Sequence, residues 1–231
     1  DGTVTLWPPS GVMLGLLAMA PPRQWPSLIA GGAIGSVASD LLSNYSVPLG
    51  IAAALANLGE SLVGAIVMKR LLPHPLSFST LRAVGVLALM VAVLSNAVTA
   101  LAGALMLNAG FDMSLARSWF NWWVGDGLGI LIVGPVVLTW TEALRKREPL
   151  RGRQAIEAGL LFVVLVSTAL IALGPGVRWN LHTGPYVIFP VLLWAALRFG
   201  PVGASTATLI AAGFAIWFAS LGLGPFAIAR T

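Results

Sequence analysis

Long apolar segments recur along this chain from one end to the other, separated by prolines, glycines and short charged runs. The mean hydropathy is +0.90, and 58% of the residues are hydrophobic while only 9% are charged, a composition outside the range of water-soluble globular domains. About 20 apolar residues suffice to cross the hydrocarbon core of a bilayer. The pattern predicts an all-α, polytopic membrane protein with about eight apolar segments, at Leu6–Ala20, Trp25–Leu42, Pro48–Leu72, Leu81–Asn108, Ser114–Trp140, Ala155–Leu173, Gly184–Phe199 and Pro201–Leu223.

The basic residues predict how these segments are oriented. If all eight cross, ten of the thirteen Lys and Arg residues fall in connections on one side, most densely between Glu142 and Arg153. Cytoplasmic loops carry such an excess, so both ends of the chain are expected outside the cytoplasm. One further helix on each side would then complete a longer protein. Because these charges are spread over short loops, we expect a lipid bilayer around the chain and no nucleic-acid partner.

One acid, Asp126, lies near the middle of the fifth segment, where a carboxylate costs on the order of 3 kcal/mol by insertion scales. A residue kept there is a candidate functional residue. Three indoles at i, i+3 and i+4 share its predicted helix face and, with a neighbouring amide, form an aromatic and polar surface that suits a cation. These residues are Trp119, Trp122, Trp123 and Asn121. A purely structural role, with Asp126 hydrogen-bonded or protonated, is the alternative.

Polar residues also lie near the middle of two other apolar segments, Pro48–Leu72 and Leu81–Asn108. Asn57 and Glu60 share one helix face, and Asn96 lies near the middle of the following segment. Such groups are costly against lipid, so we expect them to turn inward towards Asp126. No Lys, Arg or His occurs at matching depth, which leaves protonation, amide partners, or a bound cation or amine-bearing ligand. Hydrogen bonds between helices are the structural alternative for Asn96.

Several motifs occur along the chain in this order: Trp7-Pro8-Pro9-Ser10-Gly11-Val12, Asn57-Leu58-Gly59-Glu60, Trp122-Trp123-Val124-Gly125-Asp126-Gly127-Leu128-Gly129, and Leu197-Arg198-Phe199-Gly200-Pro201 followed by Gly222–Phe226. Together they resemble the first membrane-associated sensor (MASE) family of bacterial signalling proteins. The resemblance covers nearly the whole chain and implies one sensor domain over residues 1–231, in the bacterial inner membrane. It also implies a cytoplasmic histidine kinase or diguanylate cyclase as the output, a homodimer, and similarity to a hexose-phosphate response kinase that works beside a transporter-like partner.

Three functions remain open at this level. The chain is expected to be a sensory input domain, with a transporter or channel that couples protons or cations, and a dimerising scaffold, as alternatives. No catalytic residues and no metal site are predicted, and the cofactor and the ligand are unknown. The predicted ligand-binding residues are Asp126, Trp122, Trp123, Asn121, Trp119, Glu60, Asn57 and Asn96.

Overall fold

The structure is a computed structural model that describes residues 6–44, 46–73, 75–111, 114–146, 152–174 and 184–226. Over these ranges the chain forms helices and no strands. The helices are α1 (Pro8–Met19), α2 (Trp25–Leu42), α3 (Val47–Leu71), α4 (Leu81–Gly85), α5 (Asn96–Phe111), α6 (Leu115–Lys146), α7 (Gly152–Leu173) and α8 (Phe189–Ser220). A π-helical segment, Val86–Ser95, joins α4 to α5 without a break.

Prolines mark the first turns of four helices, namely α1, α2, α3 and α8. The missing N–H of proline costs nothing at this position, because first-turn donors have no partner within the helix. Helix α4 begins differently, with the Thr80 side chain accepting a hydrogen bond from the backbone N–H of Ala83 at 3.2 Å. The residues that separate the apolar segments, prolines and Thr80, are therefore also the residues at which helices begin.

The all-α membrane architecture is confirmed, but the count of about eight spanning segments is wrong. In the described part of the chain, five helices are long and apolar enough to cross a membrane: Val47–Leu71, Leu81–Met106, Leu115–Lys146, Gly152–Leu173 and Pro185–Ser220. Helix α1 has only 12 residues, and α2 has 18 but is not apolar enough. The last two predicted segments belong to one helical stretch with a kink at Gly200. The charge-based orientation assumed eight crossings, and it stays a prediction.

The chain divides into two compact units, residues 1–141 and 142–231. In the first unit, α1 packs on α3, and α2 also packs on α3. Its apolar core includes Leu14 and Leu17 of α1, Met68 of α3, and Ile130 and Leu138 of α6. All the predicted site residues belong to this unit. The prediction of one domain over residues 1–231 stays a prediction.

In the second unit, α7 packs against α8 through an apolar core that includes Leu165 and Ala195. Gly200 has φ 59° and ψ −149°, which only glycine adopts without strain, and Pro201 follows it. Beside the kink, Arg198 Nε donates to both carboxylate oxygens of Glu157 at 2.7 Å. The Arg-Phe-Gly-Pro motif thus forms the kink of α8 and one half of an ion pair.

Candidate functional site

Glycines allow the backbones of α1 and α6 to touch. The backbone N–H of Trp7 donates to the carbonyl of Gly125 at 3.0 Å. A Cβ added to Gly129 would overlap the Trp7 carbonyl, and one added to Gly11 would lie 2.7 Å from the backbone nitrogen of Gly134. Only glycine permits such an approach. Asp126, which follows Gly125, is consequently held beside the first turn of α1.

Three side chains from three helices meet at this contact. The Asp126 carboxyl of α6 interacts with the side chains of Glu60 on α3 and Ser10 on α1. Asp126 and Glu60 are each 3% exposed, and Ser10 is 1% exposed. We call Ser10, Glu60 and Asp126 the acid cluster. Two acids separated by 66 positions in sequence are therefore neighbours in the fold.

Most oxygens of the acid cluster make no hydrogen bond to described residues outside the cluster. These are Ser10 Oγ, both carboxyl oxygens of Glu60, and Asp126 Oδ2. A buried polar group without a partner costs about 1–3 kcal/mol, and a buried charge costs more. The two carboxyls consequently depend on each other, on Ser10 and on Trp122 for their hydrogen bonds.

Trp122 connects the acid cluster to its surroundings. Its side chain lies beside Asp126, while its indole N–H donates to Asn57 Oδ1 at 3.1 Å. The ring also packs against α5, because a Cβ on Gly103 would lie 2.9 Å from it. Trp122 of α6 therefore contacts two other helices, α3 and α5, and its hydrogen-bond acceptor Asn57 lies one turn before Glu60.

Trp119, Trp123 and Asn96 form a separate set of contacts between α6 and the α4–α5 stretch. The indole N–H of Trp119 donates to Ala97 O at 2.9 Å, and that of Trp123 to Val93 O at 3.1 Å. The two indoles stack at 5.5 Å. The side-chain N–H of Asn96 in turn donates to Trp123 O at 2.8 Å. These hydrogen bonds join neighbouring helices, which is the structural role that the sequence analysis gave as the alternative for Asn96.

The eight predicted residues thus fall into three groups. Glu60 and Asp126 lie in the acid cluster, with Trp122 and Asn57 next to it, whereas Trp119, Trp123 and Asn96 pack helices together. The Asn121 side chain is exposed. Sequence reasoning missed Ser10, although its hydroxyl lies within the first motif of the family resemblance. The signal available was a polar residue in the first turn of an apolar helix.

The π-helical segment Val86–Ser95 supplies backbone acceptors for these contacts. Val93 O accepts from Trp123, and Ala92 O accepts from Asn96 at 3.3 Å. The hydroxyl of Ser95 donates to Met90 O at 2.7 Å, five residues back. Because π-helical turns leave the α-helical bonding pattern, their carbonyls are freer to accept from side chains, and such turns occur often near functional sites.

Comparison with known proteins places the chain in a family. The sequence profile of the family named MASE1 matches residues 1–230. The chain belongs to the MASE1 family. The MASE1 domain is also 26% identical, over 198 residues, to the probable diguanylate cyclase DgcE of Escherichia coli (strain K12). That match covers 84% of this chain and 17% of DgcE, so the chain spans a small part of the relative's length. No solved structure matches it.

These findings confirm the membership inferred from the motifs. The MASE1 domain is a multi-pass, all-α protein of the bacterial inner membrane and a transmembrane input domain of a signalling protein. The ligand and the protein partners are subjects for proposal.

Proposed function

We propose that this chain is the input domain of a diguanylate cyclase and that a small ligand held by the acid cluster controls the output. The observation that carries the proposal is the meeting of the buried side chains of Ser10, Glu60 and Asp126 at the contact of α1, α3 and α6. The relative DgcE supports the identity of the output. A homodimer and a transporter-like partner belong to the same proposal.

A ligand at the acid cluster could change the relative positions of three helices, because each member of the cluster is on a different helix. A ligand shifts a conformational equilibrium only by its difference in affinity for the two states. Bound between α1, α3 and α6, it would favour the arrangement that brings Ser10, Glu60 and Asp126 together. Without it, the cost of burying both acids favours an arrangement in which these helices separate.

The change is transmitted along α6, which runs from Leu115 to Lys146 with Pro135 inside it. Asp126 is in its first half, and its last turns carry basic residues of the type found at the cytoplasmic side. A rotation or shift at Asp126 is therefore carried towards the far end of the helix, past Pro135, where one helical hydrogen bond is missing. We propose that this movement changes the activity of the cyclase domain.

The experiment measures cyclic diguanylate in cells expressing the full-length protein that contains this domain. Asp126→Asn and Glu60→Gln remove a charge while keeping the side-chain size. We expect either to change cyclase output at least fivefold at equal protein level in the membrane. The matched controls are Asp40→Asn, a buried acid of α2 beside Gly50, and Glu142→Gln, whose ion pair with Lys146 is on the helix surface.

Two results would contradict the proposal. Unchanged output in both Asp126→Asn and Glu60→Gln, with normal membrane insertion, would indicate a scaffold that senses nothing. Uptake of a solute or cation into vesicles containing the full-length protein, abolished by Asp126→Asn, would indicate a transporter instead.

A further inference from the structure

We propose that the π-helical segment Val86–Ser95 is a conformational switch that turns α4 relative to α5 when α6 moves. This inference rests on the proposed function, because it names an element that would carry a movement of α6 to another helix. The segment contains ten residues, whereas π-helical turns are rare and occur mostly as single turns inside α-helices. A run of this length therefore needs support from the helices that surround it.

The burial pattern of this stretch requires π-helical spacing. Leu87, Val91 and Asn96 are at most 3% exposed, and they follow one another at intervals of four and five residues. In an α-helix each residue turns the chain by about 100°, so the step from Leu87 to Asn96 would turn it by about 900° and place the two side chains on opposite sides. In the π-helical form both are buried, and Val91 between them packs so closely on α3 that a Cβ added to Gly64 would lie 2.8 Å from it.

Helix α6 supports the segment in this form. The Trp123 indole N–H donates to Val93 O at 3.1 Å, and the Trp123 carbonyl accepts from the Asn96 side chain at 2.8 Å. One turn later on α6, a Cβ added to Gly127 would lie 3.3 Å from Ala92 O. These contacts fix the last turn of the segment, and they depend on the position of α6.

A movement of α6 at the acid cluster would reach the segment over a short distance. Asp126 follows Trp123 by three residues, which is about 4.5 Å along the helix axis. A shift that separates Asp126 from α1 therefore also disturbs the bond from the Trp123 indole to Val93 O. Without this bond the last π-helical turn converts to an α-helical turn, which is by far the commoner form.

The conversion would turn α4 because the two kinds of turn hold different numbers of residues. A π-helical hydrogen bond spans five residues and an α-helical one spans four, so one converted turn changes the register by about one residue. One residue corresponds to about 100° of rotation. At a helix radius of about 5–6 Å, an exposed side chain on α4 would move by about 8 Å.

The test measures this rotation with pairs of spin labels in the full-length protein in lipid nanodiscs. The domain contains no cysteine, so labels can be attached at Val84→Cys on α4 and Leu55→Cys on α3, which are both exposed positions. Any cysteine outside the domain is replaced by serine. A second pair, Val98→Cys with Leu55→Cys, reports on α5, beyond the segment. Double electron–electron resonance gives the distance within each pair.

Two neighbouring indoles provide the variant and its matched control. Trp123→Phe removes the N–H that donates to Val93 O, and we expect a second population in which the distance between the labels at Val84 and Leu55 is shifted by up to about 8 Å. The distance between the labels at Val98 and Leu55 should stay the same. Trp119→Phe removes an indole N–H that donates to α5 rather than to the segment, so it should leave both distances unchanged.

A deletion provides a second, independent variant. The backbone N–H of Asn96 donates to Val91 O, five residues back, and deleting the exposed Leu94 would turn this into an α-helical bond over four residues. The flanking helices then keep their faces, so this deletion should preserve the fold and cancel the effect of Trp123→Phe on the distances. Deleting the equally exposed Leu101, within α5, should lower the unfolding midpoint more, because it turns one part of a regular helix by about 100°.

Three results would overturn the switch: unchanged distances in Trp123→Phe, the same shift in Trp119→Phe, or equal destabilisation by the two deletions. If Trp123→Phe does not fold, the comparison of the deletions still decides the question. Cyclase output separates this inference from the proposed function. Output that responds to Asp126→Asn, with unchanged distances in Trp123→Phe, would contradict the switch alone. Shifted distances in Trp123→Phe, with output insensitive to both Asp126→Asn and Glu60→Gln, would support the switch and contradict the proposed function.

Discussion

Substituting Gly129 by alanine tests the backbone contact that places Asp126 beside α1. The added Cβ would overlap the carbonyl oxygen of Trp7 and lie 2.9 Å from its carbonyl carbon, whereas ordinary contacts are 3.4–4 Å. Relieving the overlap requires α1 to move away by about 1 Å or more, since interiors this tightly packed have no spare volume. Such a shift also stretches the 3.0 Å hydrogen bond from Trp7 to Gly125.

The magnitude follows from three contributions. Overpacking costs about 1–3 kcal/mol, and a weakened hydrogen bond costs about 0.5–1.5 kcal/mol. Against these, replacing a helical glycine by alanine contributes about 1 kcal/mol of stability. We therefore expect Gly129→Ala to lower the free energy of unfolding by about 2 kcal/mol, or the unfolding midpoint by about 4–8 °C.

The assay is unfolding in mixed micelles by titration with a denaturing detergent, followed by tryptophan fluorescence. Gly59→Ala is the matched control, because it is a helical glycine next to Glu60 with no atom within 4 Å of the added Cβ. It should be as stable as the unchanged protein or more so. Equal stability of Gly129→Ala and Gly59→Ala would refute the close contact between α1 and α6.

Two further predictions concern single contacts. In a double-mutant cycle of Trp122→Phe and Asn57→Ala, the unfolding free energies should show a coupling of about 0.5–1.5 kcal/mol from the lost 3.1 Å hydrogen bond. Trp119→Phe combined with Asn57→Ala should be additive, because the Trp119 indole donates to another helix. Gly200→Ala should lower the unfolding midpoint through about 1–3 kcal/mol of backbone strain at φ 59°. Gly213→Ala, with open space around its Cβ, should not.

Several features of this protein could be predicted from the sequence because their causes are local. The apolar composition requires a membrane environment, and prolines in first turns define where helices begin. Three of the five long helices begin and end within three residues of predicted segments, whereas α6 begins one residue after its predicted start and ends six residues beyond its predicted end. The burial of an acid is equally a local inference, since Asp126 is far from either end of an apolar stretch.

The number of spans was predicted less well because helix length and packing are not read from hydropathy alone. Helix α1 is apolar but short, and its 12 residues reach only about 18 Å at 1.5 Å per residue. It is kept in place by contact with α3 and α6 rather than by spanning. The kink at Gly200 also joins two predicted segments into one helical stretch.

The composition of the candidate site was decided by tertiary structure. Sequence spacing shows that Trp119, Trp122, Trp123 and Asp126 share one side of α6, but not which neighbouring helix each one meets. The glycine contact between α1 and α6 determines how α6 is rotated about its own axis, and so which helix each of these side chains meets. It brings Ser10 and Glu60 to Asp126 and directs Trp119 and Trp123 towards the π-helical segment and the start of α5. The local sequence thus shows that a polar side chain is buried within an apolar helix, whereas the residues that it contacts depend on how separate helices pack.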